Sequence, residues 1–390
     1  MLLPERRRGT GIGYPQYDLY TAAVNWIQRA TAGRNWAGKV TVVLVLLSLF
    51  LHFPSYNYLA GHLNGTETNA RWTALVEQSA EPFVFHPRPE HVQTEKTTFR
   101  LTAPVLAHLL GLDIVGTYLL QFALGVMMLY MGLRYCHQRT ADKLMSVLFI
   151  AGLCCTYFGS AAFFDIWAQR DPFGYVFLFL ALLRRHVVLT FCTSFLAAYS
   201  DERALIASAL VFLFHWMEGN ESPLRRAKPT LTWPDRHAWA VVAAWGVYFA
   251  TRLYLAHFHG FKTGTSSIGP AMFIDNLTWH CWGLWSGLEG MWLFIAVVFY
   301  IIGRRSGWFM ALLCVGVLIV LSCVSVLVTD TTRSIAYGAV FLFPAFILAH
   351  RHLPERTFKG LVVAAFLCSL LCPQYFTFGY GSLSRSIPHR

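Results

Sequence analysis

The sequence predicts an all-α, polytopic integral membrane protein with about eleven transmembrane helices, some of them short or re-entrant. Three observations carry that prediction. Apolar runs of membrane-spanning length recur along the whole chain. The composition is 56% hydrophobic and only 13% charged. Lys and Arg collect in alternate connections, as they do on the cytoplasmic side of membrane proteins.

Residues 1–36 are polar and basic and read as a cytoplasmic segment. Within them "YDLYTAAVNWIQRA" spaces aromatic and aliphatic residues as an interfacial helix would. The basic cluster in "MLLPERRRGTG" has no apolar run directly after it, so no cleavable signal is expected. Residues 37–374 form a single transmembrane domain. Spans are read at 38–54, 114–135, 143–164, 172–184, 187–200, 203–217, 237–257, 285–303, 307–328, 334–350 and 358–374. Segment 55–113 is a large first outer loop, with an amphipathic helix in "TNARWTALVEQSA" and a brief apolar helix in "FRLTAPVLAHLLGL". Residues 375–390 are a C-terminal tail. No repeat and no separate soluble domain is visible, so any chemistry lies within the membrane or at its surface.

Charge tests the threading. With the N-terminus inside, the inner connections are "ERRRG", "RYCHQRTADK", "RRH", "SPLRRAKPTLTWPDRH", "GRRSG" and "HRHLPERTFK", and all are basic. The outer connections hold most of the carboxylates. The net charge of +11 is accounted for by these loops, and no nucleic-acid partner is expected. Two spans are short: "PFGYVFLFLALL" has 12 residues and "VVLTFCTSFLAAYS" has 14. About 20 are needed to cross hydrocarbon. Either they tilt among neighbours or their outer ends stop below the membrane surface. In the second case "FDIWAQRDP" and "SDER" line a recessed cavity, since irregular backbone at that depth must face water or protein.

The charged groups at the outer ends of spans are Lys96, Arg100, Asp165, Arg170, Asp171, Asp201, Glu202, Arg203, Arg252, Asp275 with His280, Asp330 and Arg333. Each borders an apolar run, where an ionised side chain is costly, so each is a functional candidate. Asp165, Asp171 and Glu202 are the candidate catalytic carboxylates, as general base or as holders of a divalent cation. Lys96, Arg100, Arg170, Arg203, Arg252 and Arg333 are the candidate substrate-binding cations, because a guanidinium grips phosphate through two parallel hydrogen bonds. Both types on one face suit group transfer from an anionic lipid whose tail stays in the bilayer.

Plainer readings cover part of this set. Ser200 reads as an N-cap, with Asp201 and Glu202 at the positive helix end. Asp171 precedes Pro172 as a helix start, and Asp330 or Thr331 offers another cap. An arginine alone reads as a snorkelling interfacial residue. Asp165, Arg170, Arg203 and Arg333 are not explained by capping, and the case rests on their joint occurrence.

Other features carry less. Most of the nine cysteines fall in spans and pack as small apolar groups. Cys368 and Cys372 share a helix face but have no nearby partners in sequence to complete a metal site. The tryptophans of "LTWHCWGLWSGLEGMWLF" read as an interfacial belt, with a sugar-stacking platform as the alternative. The glycines of Gly9 to Gly13 follow no strand and are not a nucleotide loop.

Four stretches in order, "KTTFRLTAPVLAHLLGL", "FFDIWAQRDPFGYVFLFLALL", "LAAYSDERALIASALVFLFH" and "VTDTTRSIAYGAVFLFPAFIL", resemble bacterial multi-spanning proteins of the GT-C glycosyltransferase superfamily. The resemblance covers roughly residues 38–350 and lies in layout and short motifs. It implies a polyprenyl-phosphate-linked sugar donor, a glycan or lipid acceptor, transfer on the non-cytoplasmic face of a bacterial inner membrane, and a divalent cation (Mg or Mn) as cofactor. One departure stands out. Members of the superfamily commonly carry an aspartate early in the first outer loop, whereas here Glu67 is the first acid. Either Glu67 or Glu77 substitutes, or the base lies elsewhere, or transferase activity has been lost.

The expected function is therefore a membrane glycosyltransferase, or a glycosyltransferase-like protein, of envelope polysaccharide or glycolipid assembly. The rivals are a polysaccharide polymerase or ligase with lipid-pyrophosphate donors, and a non-catalytic scaffold or glycan transporter. A transporter places charges along a path through the midplane. Here the mid-span regions are nearly free of charge.

Overall fold

The structure is a computed structural model that describes residues 32–52, 70–86, 97–166, 168–183, 186–219, 233–262, 277–305, 307–328, 330–372, 375–378 and 382–385, with a few isolated positions between. Most of the candidate interfacial helix, Glu67, Lys96, Asp275 and the glycines near the start lie outside the described residues.

The described helices run in chain order as α1 (Trp36–His52), α2 (Ala70–Ala80), α3 (Thr102–Leu110), α4 (Ile114–Thr140), α5 (Lys143–Cys155), α6 (Tyr157–Phe164), α7 (Asp171–Leu182), α8 (Val187–Ser200), α9 (Glu202–Gly219) and α10 (Arg236–Phe258). There follow α11 (His280–Leu288), α12 (Trp292–Arg305), α13 (Trp308–Val326), α14 (Thr331–Ile335), α15 (Leu342–His352) and α16 (Glu355–Leu371). A 3-10 turn at Glu289–Met291 joins α11 to α12, and a 3-10 segment at Ala336–Phe341 joins α14 to α15. Two short strands, β1 (Tyr375–Phe378) and β2 (Ser382–Arg385), pair antiparallel with Tyr375 opposite Arg385. The segment read from sequence as a C-terminal tail therefore contributes two paired strands.

Among the described residues, five helical stretches are long and apolar enough to cross a membrane: α4, α10, α11 with α12, α13, and α14 with α15. The pair α5 and α6 makes a sixth if its two halves, bent by 64°, count as one broken span. The chain is a multi-pass helical membrane protein, with α1, α7 and α8 as shorter apolar helices. The two short spans read from sequence have the expected 12 and 14 residues. The loop helices α2 and α3 also form where the sequence placed them, joined by His108 Nδ1 at 2.8 Å from the Ser79 carbonyl.

The stretch α14–α15 is buried from Thr331 to Ala349 and is the axis of the fold. Aromatic rings pack around it, including Tyr175 against Tyr337 at 4.6 Å between centroids and Phe179 against Phe343 at 4.6 Å. In contrast, α10 and α13 expose Phe249, Leu253, Leu312, Ile319 and Val320, the kind of surface that hydrocarbon covers. The α5–α6 bend has a local cause. Thr156 is extended at φ −96°, and a Cβ at Gly159 would stand 2.5 Å from the Leu153 carbonyl carbon and 2.8 Å from Cys154 Cα. Only glycine lets the chain fold back on itself there.

One cap differs from expectation. Ser200 does not cap α9; it ends α8, and its hydroxyl donates to the Leu196 carbonyl at 2.8 Å. Asp201 occupies the break instead and accepts from the Arg203 amide at 2.9 Å. A carboxylate there can also receive guanidinium groups, which a serine hydroxyl cannot match in charge.

Candidate functional site

In the loop between α6 and α7, Asp165, Ile166, Ala168 and Arg170 are buried despite the charges among them. The loop's backbone groups are satisfied from other elements, as burial requires. The Trp72 indole of α2 donates to the Ile166 carbonyl at 2.7 Å, and Gln121 of α4 donates to the Asp165 carbonyl at 3.1 Å. Tyr118 donates to the Phe163 carbonyl at 2.8 Å. The loop turns through two non-glycine residues in the left-handed region, Ala168 (φ 56°) and Arg170 (φ 67°). Such conformations cost about 1–3 kcal/mol each and persist only where the surroundings enforce them.

Those turns aim two acids in different directions. Asp165 points back into its own loop and accepts the amides of Gln169 at 3.1 Å and Arg170 at 2.9 Å. Asp171 opens α7 and is fully buried. It accepts from Tyr157 and Tyr337, both at 2.9 Å, and Arg333 Nε lies 2.6 Å from its Oδ2. Asp171 is thus more than the helix start that its place before Pro172 suggests.

The second acid centre is Asp201. Arg203 grips it through Nε at 2.7 Å and Nη2 at 2.6 Å, while Arg100 approaches at 2.9 Å and Arg333 at 3.6 Å. Arg203 also reaches Ser334 at 2.7 Å and lies 3.7 Å from Asp171. Arg333 in turn contacts Asp330 at 2.7 Å and donates to Gln169. Arg170 donates to the Arg100 carbonyl at 3.2 Å and to Thr97 at 3.3 Å. Half-buried Glu202 and Arg252 form a rim, 3.3 Å apart, with Arg252 over the Phe99 ring at 4.1 Å.

The structure therefore joins Asp165, Asp171, Asp201, Arg100, Arg170, Arg203 and Arg333 at one end of the axial helix, with Glu202 and Arg252 at its edge. It also corrects the emphasis among the arginines. Arg100, Arg203, Arg252 and Arg333 are all paired with carboxylates, but Arg203 and Arg333 are buried against Asp201 and Asp171, whereas Arg100 and Arg252 are only partly buried and both reach Glu202 at the rim. Sequence reasoning missed Arg71, Gln169, Tyr157 and Tyr337. Arg71 on α2 interacts electrostatically with Arg333, Asp330, Asp165 and Arg100. The tyrosines and the glutamine carry no charge and so escaped a search based on charge.

Environment separates the two acids that lie in connections. Burial raises the Asp165 carboxyl to about 6, and the nearby charge of Asp171 adds to this, against the opposing pull of two amides and Arg333. Burial also pushes Asp201 upward, but Arg100, Arg203 and Arg333 overrule it and hold Asp201 well below the usual carboxylate range. Burial and Arg100 together lower Arg170 to about 9.

A divalent cation does not fit this donor set. Among the described residues no three His, Cys, Asp or Glu side chains are placed to hold a metal ion. Asp171 and Asp201 face guanidinium groups, which would repel a cation. No protein family, characterised protein or solved structure matches this chain.

Proposed function

We propose that the protein is a membrane glycosyltransferase that moves a sugar from a polyprenyl-phosphate donor to a hydroxyl acceptor, at the face where the arginine–aspartate cluster lies. The observation that carries this reading is the contrast between Asp165 and its neighbours. Asp171 and Asp201 are each paired with arginine, whereas Asp165 accepts only backbone amides among the described contacts, and burial raises its carboxyl to about 6. A general base works best at such a value.

In this reading Asp165 takes the proton of the acceptor hydroxyl as that oxygen attacks the anomeric carbon of the sugar. The new C–O bond forms as the bond from that carbon to the phosphate oxygen breaks. The leaving phosphate keeps the electron pair, and Arg100 and Arg71 neutralise its charge. Arg203 and Arg333 hold Asp201 and Asp171 and so fix the site rather than bind the donor. The basic inner connections support a cytoplasmic N-terminus and a site on the non-cytoplasmic face, and the resemblance to the GT-C superfamily implies a bacterial inner membrane as location.

A transfer assay on reconstituted protein tests the reading, with polyprenyl-phosphate sugars as donors. Asp165→Asn is expected to lower the rate about 100-fold or more while thermal stability at pH 7 is retained. Unchanged transfer by a folded Asp165→Asn variant would refute it, and would favour a network whose role is to hold helices together.

A further inference from the structure

Two cysteines at the end of α16 stand close enough to react with each other. The Sγ atoms of Cys368 and Cys372 are 3.8 Å apart. Both side chains are half-buried, whereas Cys136, Cys154, Cys155 and Cys314 are buried in helix packing. Cys372 caps the helix with extended backbone (φ −77°, ψ 127°), which frees its side chain from strict helical geometry. The Trp285 indole of α11 hydrogen-bonds to its sulfur. A Cβ at Gly290 would lie 2.7 Å from Cys368 Cβ, so Cys368 presses on the 3-10 turn after α11.

The pair lies at the same end of the molecule as the charged cluster. Strand β1, three residues beyond Cys372, packs on both α11 and α14, and α14 carries Arg333.

We propose that Cys368 and Cys372 are an oxidisable dithiol that closes into an intrachain disulfide, tying the end of α16 beside the 3-10 turn at Glu289–Met291. The oxidant is a disulfide of small-molecule or protein origin. One cysteine thiolate attacks it, forming a mixed disulfide and releasing one thiol. The second cysteine then displaces the other thiol as the Sγ–Sγ bond forms. Two electrons pass to the oxidant, and the two protons leave with its two thiols. From 3.8 Å the two sulfurs need to close by less than about 2 Å to reach bonding distance, and the extended backbone of Cys372 lets its side chain make that move.

The test uses the full chain in nanodiscs, incubated with oxidised glutathione, quenched with an alkylating agent and digested. Wild type is expected to yield the peptide spanning both cysteines unalkylated and lighter by two hydrogens in most molecules. Cys368→Ser is expected to stop at a glutathione adduct on Cys372. The proposal is overturned if wild type shows both thiols alkylated, or keeps a glutathione adduct without closure, or links either cysteine to Cys281 or Cys323. The readout is peptide mass, so it succeeds or fails independently of glycan transfer.

Discussion

Arg333 and Asp171 meet inside the protein with Nε 2.6 Å from Oδ2, an ion pair without the geometry of a directed hydrogen bond. The pair joins the start of the axial helix to the start of α7. Arg333 also contacts Asp201 and Asp330, so one guanidinium links three acids from three connections. The expected cost of Arg333→Met is about 3 kcal/mol, because the fully buried Asp171 loses its nearest countercharge and keeps only Arg203 at 3.7 Å. Adding Asp171→Asn restores part of that loss, since Tyr157 and Tyr337 can still bond an amide. Thermal unfolding of the two singles and the double gives the coupling, and strictly additive losses would show that the pair does not interact.

Asp165 sets a pH dependence of stability. Its folded-state value of about 6 lies above its ordinary value of 3.8, so between those limits the folded protein holds more protons than the unfolded chain. The favourable contribution is complete below about pH 4 and declines as pH rises through about 6. The difference in stability between wild type and Asp165→Asn is therefore expected to shift against wild type by up to about 3 kcal/mol over that window and to stay flat above it. Melting curves of both proteins from pH 4 to 8 measure this directly. Asp201 acts with the opposite sign, because its stabilisation is lost as pH falls.

Two glycines separate fold from site. Gly159→Ala drives a methyl into backbone atoms of Leu153 and Cys154, which cannot move aside, and is expected to cost several kcal/mol or prevent folding. At Gly174 a Cβ would meet Tyr337 Cε1 at 2.9 Å and its hydroxyl at 3.3 Å. Gly174→Ala is expected to fold and to displace Tyr337 from Asp171, lowering transfer more than stability. Yields and melting points of the two variants decide between these outcomes.

Glu289 offers a stability test away from the site. It is fully buried in a membrane-crossing stretch, at φ 49°, and neither carboxyl oxygen has a hydrogen-bond partner. An unpartnered buried polar group costs about 1–3 kcal/mol. Glu289→Met, of similar length, is expected to raise the melting temperature. A large fall instead would mean that the carboxyl has a required partner.

Much of this site was legible in the sequence because charges are rare in apolar runs. Asp165, Arg170, Arg203 and Arg333 stood out for that reason, and the structure brings them together. The shortness of α7 was equally plain from the breaks at Pro172 and Arg184. What was not legible was pairing. Nothing in the spacing of Asp201 and Arg203 shows that the arginine folds back two residues onto the acid instead of facing a ligand. Glu289 was hidden by the apolar and tryptophan-rich stretch around it, which reads as an ordinary span. The α5–α6 bend was equally hidden, since it depends on how Gly159 meets a carbonyl six residues back.

The central claim is that Arg100 and Arg71 receive a lipid phosphate. Native mass spectrometry of the protein with polyprenyl phosphate added in detergent measures that binding most directly. Wild type is expected to retain the lipid, and the Arg71→Gln, Arg100→Gln double variant to retain about 10-fold less, with Arg203 and Arg333 still holding Asp201 and Asp171. Equal retention by the two proteins, or none by wild type, would contradict the account.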